Sequence, residues 1–192
     1  MKRFIDITGS LFAIVLFIPL FIFCGLLVMF DDGFPILYRQ IRIGQNAKPF
    51  VIYKFRTMKR DAEKDGPKLL HKGSMTDPRL TRSGRFLRAH HLDEIPQLFN
   101  VLGGTMSFVG YRPERKYYID QITRIAPEYK DLFVMKPGVT SYATIHNGYT
   151  DTIEKMVERL KYDHYYVTHH SIFFDLKIIF LTFHKIFSGK KF

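Results

Sequence analysis

The sequence is poor in the residues that build disulfides and cysteine-based metal clusters. It has one cysteine, Cys24, among 192 residues, which excludes an internal disulfide and a zinc cluster built on thiolates. Cys24 lies within an apolar run, where a cysteine is typically a small buried hydrophobic residue. The glycine-rich P-loop and the dinucleotide fingerprint are also missing. A phosphate ligand would therefore have to be held by other means.

Acidic residues are scarce as well. Asp and Glu number 18 against 29 Lys and Arg, which gives a net charge of +11. This excess indicates an anionic partner: a nucleic acid, an anionic lipid or a phosphorylated substrate. Tryptophan is absent, yet 19 Phe and 11 Tyr bring the aromatic fraction to 16%. Aromatic side chains at this density are typical of surfaces that contact lipid.

Charge is missing altogether from a stretch near the N-terminus. Residues 11–30 carry no charged side chain, and most of them are Leu, Ile, Val or Phe. A helix of about 20 such residues can cross the hydrocarbon core of a bilayer. A cleaved signal peptide is disfavoured, because no small-x-small site follows Cys24 and two aspartates come directly after the run. The run therefore predicts a membrane-embedded segment.

Pro19 lies near the middle of this run and removes one backbone donor, which kinks or breaks a helix. Both Lys2-Arg3 and the strongly basic remainder of the chain favour the cytoplasmic side of a membrane. Both ends are satisfied if the segment enters one leaflet, bends at Pro19 and returns. We therefore predict a re-entrant anchor over residues 1–32 and one membrane-associated cytoplasmic unit over residues 33–192. Ile18, before the proline, offers no hydroxyl to the broken backbone.

A β-hairpin is predicted after the anchor. Residues 36–43 and 49–55 are rich in β-branched and aromatic side chains, and the link between them holds Gly and Asn. Strand alternation would place Lys54 and Arg56 on one face. Residues 59–82 are polar and without a period, so they predict a long loop, which is uncommon in a compact domain unless it is functional or mobile.

Cations dominate the chain from Lys54 to Arg88, with eleven Lys and Arg against four Asp and Glu. Two interpretations are open. The cations form an ordinary solvated surface, or they form an electrostatic funnel for a phosphorylated substrate. In the second interpretation Lys54 and Arg56 are candidate phosphate-binding residues.

Two adjacent carboxylates, Asp93 and Glu94, stand where a basic, polar segment turns into an apolar one. One interpretation is structural: Asp93 caps a helix that begins at Glu94, tolerates Pro96 in its first turn and closes at Gly103-Gly104. The other is chemical: one carboxylate attacks a group that the surrounding cations hold. This stretch alone does not decide between them.

Further helices are predicted from start signals and apolar periods. A short helix covers residues 84–91 with Ser83 as its N-cap, and Asp151 is expected to cap a second. A third, Ser171–Phe187, has a helical apolar period broken by charges. It either lies in a membrane interface or packs on the core. The predicted fold is thus α+β and mostly helical, with a re-entrant helix-break-helix, interfacial amphipathic helices and a small antiparallel hairpin.

Residues 108–116 contain Gly, Pro and three cations, and they predict a tight turn. Arg112 lies between Tyr111 and Pro113, which would hold it rigidly. A guanidinium group suits bidentate recognition of phosphate. Arg112 is therefore a candidate phosphate anchor.

These features together favour phosphoryl transfer at a membrane surface, from a soluble diphosphate donor to a lipid phosphate acceptor. A carboxylate can serve as a covalent nucleophile towards a phosphoryl group. Mg²⁺, bound by one or two carboxylates plus substrate phosphates, is the expected ion. A non-catalytic, basic, membrane-bound module stays open as the alternative. A nucleic-acid binder is disfavoured by the apolar N-terminus.

Six ordered motifs resemble those of a known family. They are Lys2-Arg3-Phe-Ile-Asp6, Tyr53-Lys-Phe-Arg-Thr-Met58, Asp77-Pro-Arg-Leu-Thr81, Leu92-Asp-Glu-Ile-Pro-Gln-Leu-Phe-Asn100, Met106-Ser-Phe-Val-Gly-Tyr-Arg-Pro113 and Lys136-Pro-Gly-Val-Thr140. The chain resembles the bacterial sugar transferase family, the small monotopic phosphoglycosyl transferases that begin cell-surface glycan assembly. The resemblance covers nearly the whole chain. It implies the minimal catalytic form, without an extra N-terminal transmembrane bundle.

The resemblance also implies a reaction and a location. Such enzymes transfer a sugar-1-phosphate from a UDP-sugar to polyprenyl (undecaprenyl) phosphate through an aspartyl phosphosugar and release UMP, which initiates capsule, exopolysaccharide, O-antigen or glycoprotein synthesis. The implied partners are the UDP-sugar, the polyprenyl phosphate, the lipid bilayer and downstream glycosyltransferases, with no nucleic acid. Residues 33–192 would be the catalytic domain on the cytoplasmic face of the bacterial inner membrane. Pro19 matches the proline that breaks the family's re-entrant helix.

By position in the motifs, the resemblance assigns roles to residues. Asp93 would be the nucleophile, and Glu94 would assist by handling metal or proton, so both are candidate Mg²⁺ ligands. Arg112, with Pro113 beside it, would hold a phosphate, and Arg88 would help.

The sequence departs from the family pattern at several positions. Ile18 stands where Ser or Thr often precedes the proline, and Tyr111 stands where Pro is commoner. Ser141-Tyr142-Ala143-Thr144 replaces the usual Gly-Leu-Ala-Gln, and Tyr149 stands where Arg is common. These positions bear on sugar and nucleotide contacts, so the sequence does not name the sugar. The Asp-Glu-Arg set is unaffected.

Overall fold

The fold is built mostly of helices around two small sheets. The computed structural model describes residues 1–64, 66–69, 77–148 and 150–188; part of the predicted loop (residues 65 and 70–76) and Tyr149 lie outside them. The helices are α1 (Lys2–Leu16), α2 (Ile18–Asp32), α3 (Arg82–Ala89), α4 (Gln97–Gly103), α5 (Lys116–Ile125), α6 (Tyr142–Asn147), α7 (Ile153–His169) and α8 (Ile172–Phe187). The strands are β1 (Leu37–Ile43), β2 (Pro49–Phe55), β3 (Ser107–Val109) and β4 (Gly138–Thr140). The mostly helical class and the predicted antiparallel hairpin β1–β2 are confirmed.

The predicted break in the apolar N-terminal segment is present. Helices α1 and α2 meet at Phe17, whose φ of −94° and ψ of 9° are not helical, and they are bent by 63°. Pro19 lies in the first turn of α2 rather than at the break itself, because its missing N–H and its ring disturb the turn that precedes it. The Phe17 N–H still donates to the Ala13 carbonyl at 2.9 Å, and the Phe17 carbonyl accepts from Phe21 at 2.8 Å. The backbone is therefore satisfied on both sides without a hydroxyl at Ile18.

By length and composition, no single helix in the described ranges could cross a bilayer, but the bent pair α1–α2 passes that test when taken together. The inner side of α2 packs on the rest of the protein, with Cys24 and Val28 buried against Phe55 and Leu87. The burial of Cys24 agrees with its predicted role as a small hydrophobic residue. Other large apolar side chains of the pair, such as Phe12, are exposed.

The segment predicted as a tight turn near residue 110 is extended instead. Strand β3 pairs in parallel with β4, and Tyr111 forms a further bridge to Pro137. The two backbones approach so closely at Gly110 that a Cβ there would lie 2.3 Å from the Lys136 carbonyl oxygen. Tyr111 is consequently buried in the main core. The pairing is non-local and only three residues long, so it leaves little periodicity in the sequence.

Two predicted helix caps are displaced. The Thr81 hydroxyl, rather than that of Ser83, accepts the Gly84 N–H at 2.9 Å and begins α3. The Thr152 hydroxyl, rather than the Asp151 carboxylate, accepts from Lys155 and begins α7. In both cases a neighbouring residue has the extended backbone that an N-cap requires.

Helix α8 has two apolar faces. Ile178 is fully buried in a cluster with Val109, Ile145 and Tyr166. The opposite side carries exposed large apolar side chains at helical spacing, namely Phe173, Leu176, Phe180 and Phe183. The two interpretations of this segment are thus compatible: one face packs on the core, and the other is available to an apolar environment.

Candidate active site

The two adjacent carboxylates lie in a turn between α3 and α4. Helix α3 ends at Ala89, His91 adopts a left-handed conformation with φ of 55°, and Leu92–Glu94 form one turn of 3₁₀ helix. Helix α4 begins after Pro96 with no side-chain cap. The predicted capping role of Asp93 is therefore wrong, because Pro96 delays the helix and leaves the aspartate outside it. The closure of α4 by Gly104, in the left-handed conformation, is confirmed.

Both flanking helices are held by the ends of the N-terminal helix pair. The Arg3 guanidinium donates to the carbonyls of Val101 (2.6 Å) and Leu102 (2.7 Å) at the C-terminus of α4. At the other end of the pair, the Asp31 carboxylate accepts the Ser83 N–H of α3 at 2.7 Å. The position of the Asp93 turn is thus fixed relative to the apolar helices.

Asp93 is buried, with 7% of its surface exposed, yet its carboxylate forms no hydrogen bond or ion pair with any residue of the described ranges. Burial raises the pKa of this carboxyl, and the nearby charges of Lys54 and Arg88 act in the opposite direction. A buried carboxylate without a bonded partner is costly unless a ligand or cation compensates it. Asp93 is therefore suited to react with, or bind, something that enters the site.

Glu94 differs sharply from its neighbour. The Lys54 ammonium lies 2.5 Å from Glu94 Oε1, and the Arg112 guanidinium lies 3.6 Å from the same oxygen. Burial would raise the pKa of Glu94, but Lys54 and Arg112 outweigh it and hold the pKa of this carboxyl well below its usual range. Adjacent carboxyls whose pKa values are shifted in opposite directions are suited to different chemical roles.

The predicted cations divide into two groups. Lys54, Arg88 and Arg112 surround the carboxylate pair, and Arg88 Nε is oriented by a 2.9 Å hydrogen bond to Thr57 Oγ1. Pro113, which follows Arg112 in the chain, is buried. Arg56 is engaged elsewhere.

The Arg56 guanidinium donates to the carbonyls of Asp32 and Gly33 at 2.7 Å each and lies 3.1 Å from the Asp32 carboxylate. It thereby joins the end of α2 to β2. Strand alternation, which groups Arg56 with Lys54, carries no information about this acceptor cluster at the end of α2. These contacts favour a structural role, and phosphate binding by Arg56 stays a prediction.

Several contacts around the site were missed by sequence reasoning. Besides Arg3 and Asp31, the Asn100 side chain fixes α4 on β2, because it accepts from the Tyr53 N–H at 3.0 Å and donates to the Val51 carbonyl at 2.6 Å. A single polar residue in the middle of the otherwise apolar stretch 98–102 is the one signal that could have marked Asn100.

Two of the positions that depart from the family pattern have structural contacts, and Tyr149 lies outside the described residues. Tyr111 is in the core, and the Thr144 N–H donates to the Ser141 hydroxyl at the start of α6.

The carboxylate pair is also the candidate binding site for Mg²⁺. The described part of the chain contains no group of three or more His, Cys, Asp or Glu that could hold a metal ion. Mg²⁺ is commonly bound by only one or two protein carboxylates, with substrate phosphates and water completing its shell. The hard oxygen atoms of Asp93 and Glu94 fit that pattern.

Known proteins resemble this chain along nearly its whole length. A family model described as bacterial sugar transferase matches residues 1–189. The UDP-N-acetylgalactosamine-undecaprenyl-phosphate N-acetylgalactosaminephosphotransferase of Aeromonas hydrophila is 35% identical over 98% of this chain and 44% of its own length. The UDP-glucose:undecaprenyl-phosphate glucose-1-phosphate transferase of Escherichia coli (strain K12) is 38% identical over 99% of this chain and 41% of its own.

A relative of similar size completes the comparison. The exopolysaccharide production protein PSS of Rhizobium leguminosarum bv. phaseoli is 39% identical over 95% of this chain and 92% of its own length. The chain spans less than half the length of the two larger relatives and most of this one. Because the family model matches almost every residue and the six motifs stand in order, the chain belongs to the bacterial sugar transferase family.

Proposed function

We propose that this protein is a phosphoglycosyl transferase that moves a sugar-1-phosphate from a UDP-sugar to undecaprenyl phosphate. The observation that carries the proposal is the buried Asp93 carboxylate, which forms no hydrogen bond or ion pair with the described residues and lies close to the charges of Lys54 and Arg88. The names of two relatives, which join a UDP-sugar to undecaprenyl phosphate, support the choice of donor and acceptor. The product would initiate a surface glycan, and exopolysaccharide is the class named for the relative of similar length.

The reaction would proceed in two displacements at one phosphorus atom. In the first, an Asp93 oxygen attacks the phosphorus that carries the sugar, and the bond to the bridging oxygen breaks so that UMP leaves with the electron pair. In the second, a phosphate oxygen of the lipid attacks the same phosphorus, and Asp93 departs as a carboxylate. The sugar–oxygen bond stays intact throughout, and each step forms one P–O bond and breaks another.

The cations around the pair would hold the donor during these steps. Arg112 and Arg88 can bind phosphate oxygens through paired N–H groups, while Lys54 balances the charge of Glu94. Mg²⁺, when held by Asp93 or Glu94 together with the diphosphate, would neutralise charge that otherwise repels the incoming phosphates. Positioning and electrostatic stabilisation account for most of the rate in phosphoryl transfer, so this frame suits the chemistry.

The proposed reaction predicts a specific product pattern. With undecaprenyl phosphate, Mg²⁺ and a panel of UDP-sugars, the purified protein is expected to release UMP continuously with at least one donor. Without the lipid acceptor, it should release at most one UMP per chain, because the aspartyl phosphosugar then accumulates. UMP release can be measured by a coupled luminescence assay. The absence of UMP with every donor would contradict the proposal and favour a non-catalytic membrane module.

The apolar surfaces support a placement in the bilayer. The outer sides of α1 and α2 and the exposed face of α8 present large apolar side chains to the surroundings. We propose that the bent pair enters and leaves one leaflet of the inner membrane from the cytoplasm. This placement brings a site fixed by Arg3 and Asp31 close to the headgroup of a lipid acceptor.

The re-entrant placement predicts that both chain ends lie on one side. Short epitope tags at residues 1 and 192 should be protected in intact spheroplasts and accessible in inverted membrane vesicles, because α1 and α2 return to the cytoplasmic face. A tagged soluble cytoplasmic protein, which must stay protected, is the control for spheroplast integrity, and a periplasmic domain fusion is the positive control for labelling. Labelling of the two tags from opposite sides would mean that the segment spans the membrane.

A further inference from the structure

Glu114, two residues after Arg112, is the centre of a buried ion network. Its Oε2 accepts from Arg42 at 3.1 Å, and its Oε1 accepts from Arg159 at 3.1 Å. Only 4% of Glu114 and 1% of Arg159 is exposed. Both oxygens of this carboxylate are therefore occupied by cations within the protein.

The same contacts fix the backbone that carries Arg112. Arg42 also donates to the Pro113 carbonyl at 3.1 Å, and the Ile43 N–H donates to the Glu114 carbonyl at 3.1 Å. The chain from Arg112 to Glu114 is thus held along the end of β1 by main-chain and side-chain bonds together.

Stability alone does not explain such a network. A buried ion pair costs desolvation, and apolar residues of similar volume often stabilise a fold as well or better. Removing only one partner of the pair is strongly destabilising, because it leaves an uncompensated buried charge. The consequences for Glu114 depend on which other cations can reach it.

Arg112 is the cation at issue. Burial would raise the pKa of Glu114, but Arg159, Arg42 and Arg112, in that order of charge effect, hold the pKa of Glu114 below its usual value. Arg112 also lies 3.6 Å from Glu94 in the carboxylate pair. Arg112 thus forms an ion contact with Glu94 in the site and is attracted through its charge to Glu114 in the core.

We infer that Arg42 is a positioning residue for Arg112. By pairing with Glu114, Arg42 keeps that buried carboxylate from attracting the Arg112 guanidinium away from the substrate phosphates. The inference rests on the proposed function, in which Arg112 binds a phosphate. Arg42 itself contacts Glu114 and Pro113 and neither carboxylate of the pair.

The inference can be tested with a double-mutant cycle in which the rate of UMP release is measured for each variant. Arg42→Met is expected to lower the rate about 10- to 100-fold, because displacement of a binding group by about 1 Å has effects of that size. Adding Glu114→Gln should restore most of the lost rate, since the competing charge is then gone. In an Arg112→Ala background, Arg42→Met should have almost no further effect. Lys116→Met, which removes an exposed ion pair with Asp120 nearby, is the matched control and should leave the rate unchanged.

The equilibrium affinity for UDP is measured for the same variants, because this measurement does not require turnover. If the wild type releases no UMP but the UDP affinities show the same pattern, the proposed function fails and the positioning role stands. Equal effects of Arg42→Met with and without Arg112 would overturn the positioning role, as would full activity of Arg112→Ala. Thermal unfolding checks that each variant is folded. If Arg42→Met does not fold, Arg42→Gln, which removes the charge but keeps a side-chain N–H donor, takes its place in the cycle with a smaller expected loss.

Discussion

Asp93→Asn is expected to lower UMP release by about 10⁴-fold or more, as the loss of a covalent nucleophile does in other enzymes. An amide has nearly the shape of the carboxylate but does not attack phosphorus. The substitution should cost little stability, because Asp93 forms no hydrogen bond or ion pair with the described residues and its burial as a charged group is unfavourable. Rates and thermal unfolding measured in the same detergent separate the two effects.

Glu94→Gln is the matched comparison for this variant. It weakens the ion pairs with Lys54 and Arg112, so it should lower both the rate and the melting temperature. Mass spectrometry after incubation with donor alone should show a phosphosugar adduct on wild-type Asp93 and none on the asparagine variant. Turnover of Asp93→Asn near the wild-type rate would show that the nucleophile is wrongly assigned.

The elements that could be predicted from the sequence are those with local periodicity. The β1–β2 hairpin, the long helix α8 and the bend near Pro19 each follow from patterns within a few turns or one strand pair. In these segments the pattern of apolar and polar side chains follows the local backbone, so the sequence indicates the secondary structure directly. The position of the bend was still displaced to Phe17, because a proline acts on the turn before it.

The contacts that position the site could not be predicted in this way. Arg3 meets Val101 across 98 residues of sequence, and Asp31 meets Ser83 across 52. Lys2-Arg3 was interpreted as a topology signal alone, yet Lys2 also forms an ion pair with Asp175 of α8. A charged residue near an apolar helix has several uses, and only the three-dimensional arrangement shows which carbonyls or carboxylates it meets.

The carboxylate pair itself illustrates both limits. Its place at a boundary between basic and apolar segments marked it correctly as unusual. Its local structure was predicted wrongly, because a capping aspartate and an aspartate in a 3₁₀ turn before proline look alike in sequence. Burial raises the pKa of Asp93, whereas for Glu94 the effect of burial is outweighed by Arg112 and by Lys54, which lies forty residues earlier in the chain. Adjacent acids could be located from the sequence, but their opposite electrostatic environments could not.

Gly84→Ala is expected to have the largest effect on stability. Gly84 lies in the first turn of α3, where a Cβ would lie 2.0 Å from the Thr57 carbonyl oxygen and 2.7 Å from the Thr57 Cα. These are backbone atoms of the chain leaving β2, so no side-chain rotation relieves the clash. Helix α3 must therefore move, and we expect the free energy of unfolding to fall by about 3 kcal/mol, the upper end for overpacking. Urea or thermal unfolding in detergent measures the loss.

The displacement of α3 should also move Arg88, because Arg88 lies on α3 and its hydrogen bond to Thr57 joins the same two segments. The active site is therefore expected to be affected. UMP release by the folded fraction is therefore expected to fall about 100-fold, as for other misplaced binding groups. Gly103→Ala is the matched control: Gly103 is also helical, but a Cβ there meets nothing within 4 Å. Alanine at that position should be neutral or stabilise by up to about 1 kcal/mol, the ordinary helix preference over glycine. Equal stabilities of the two variants would contradict the close packing of α3 on Thr57.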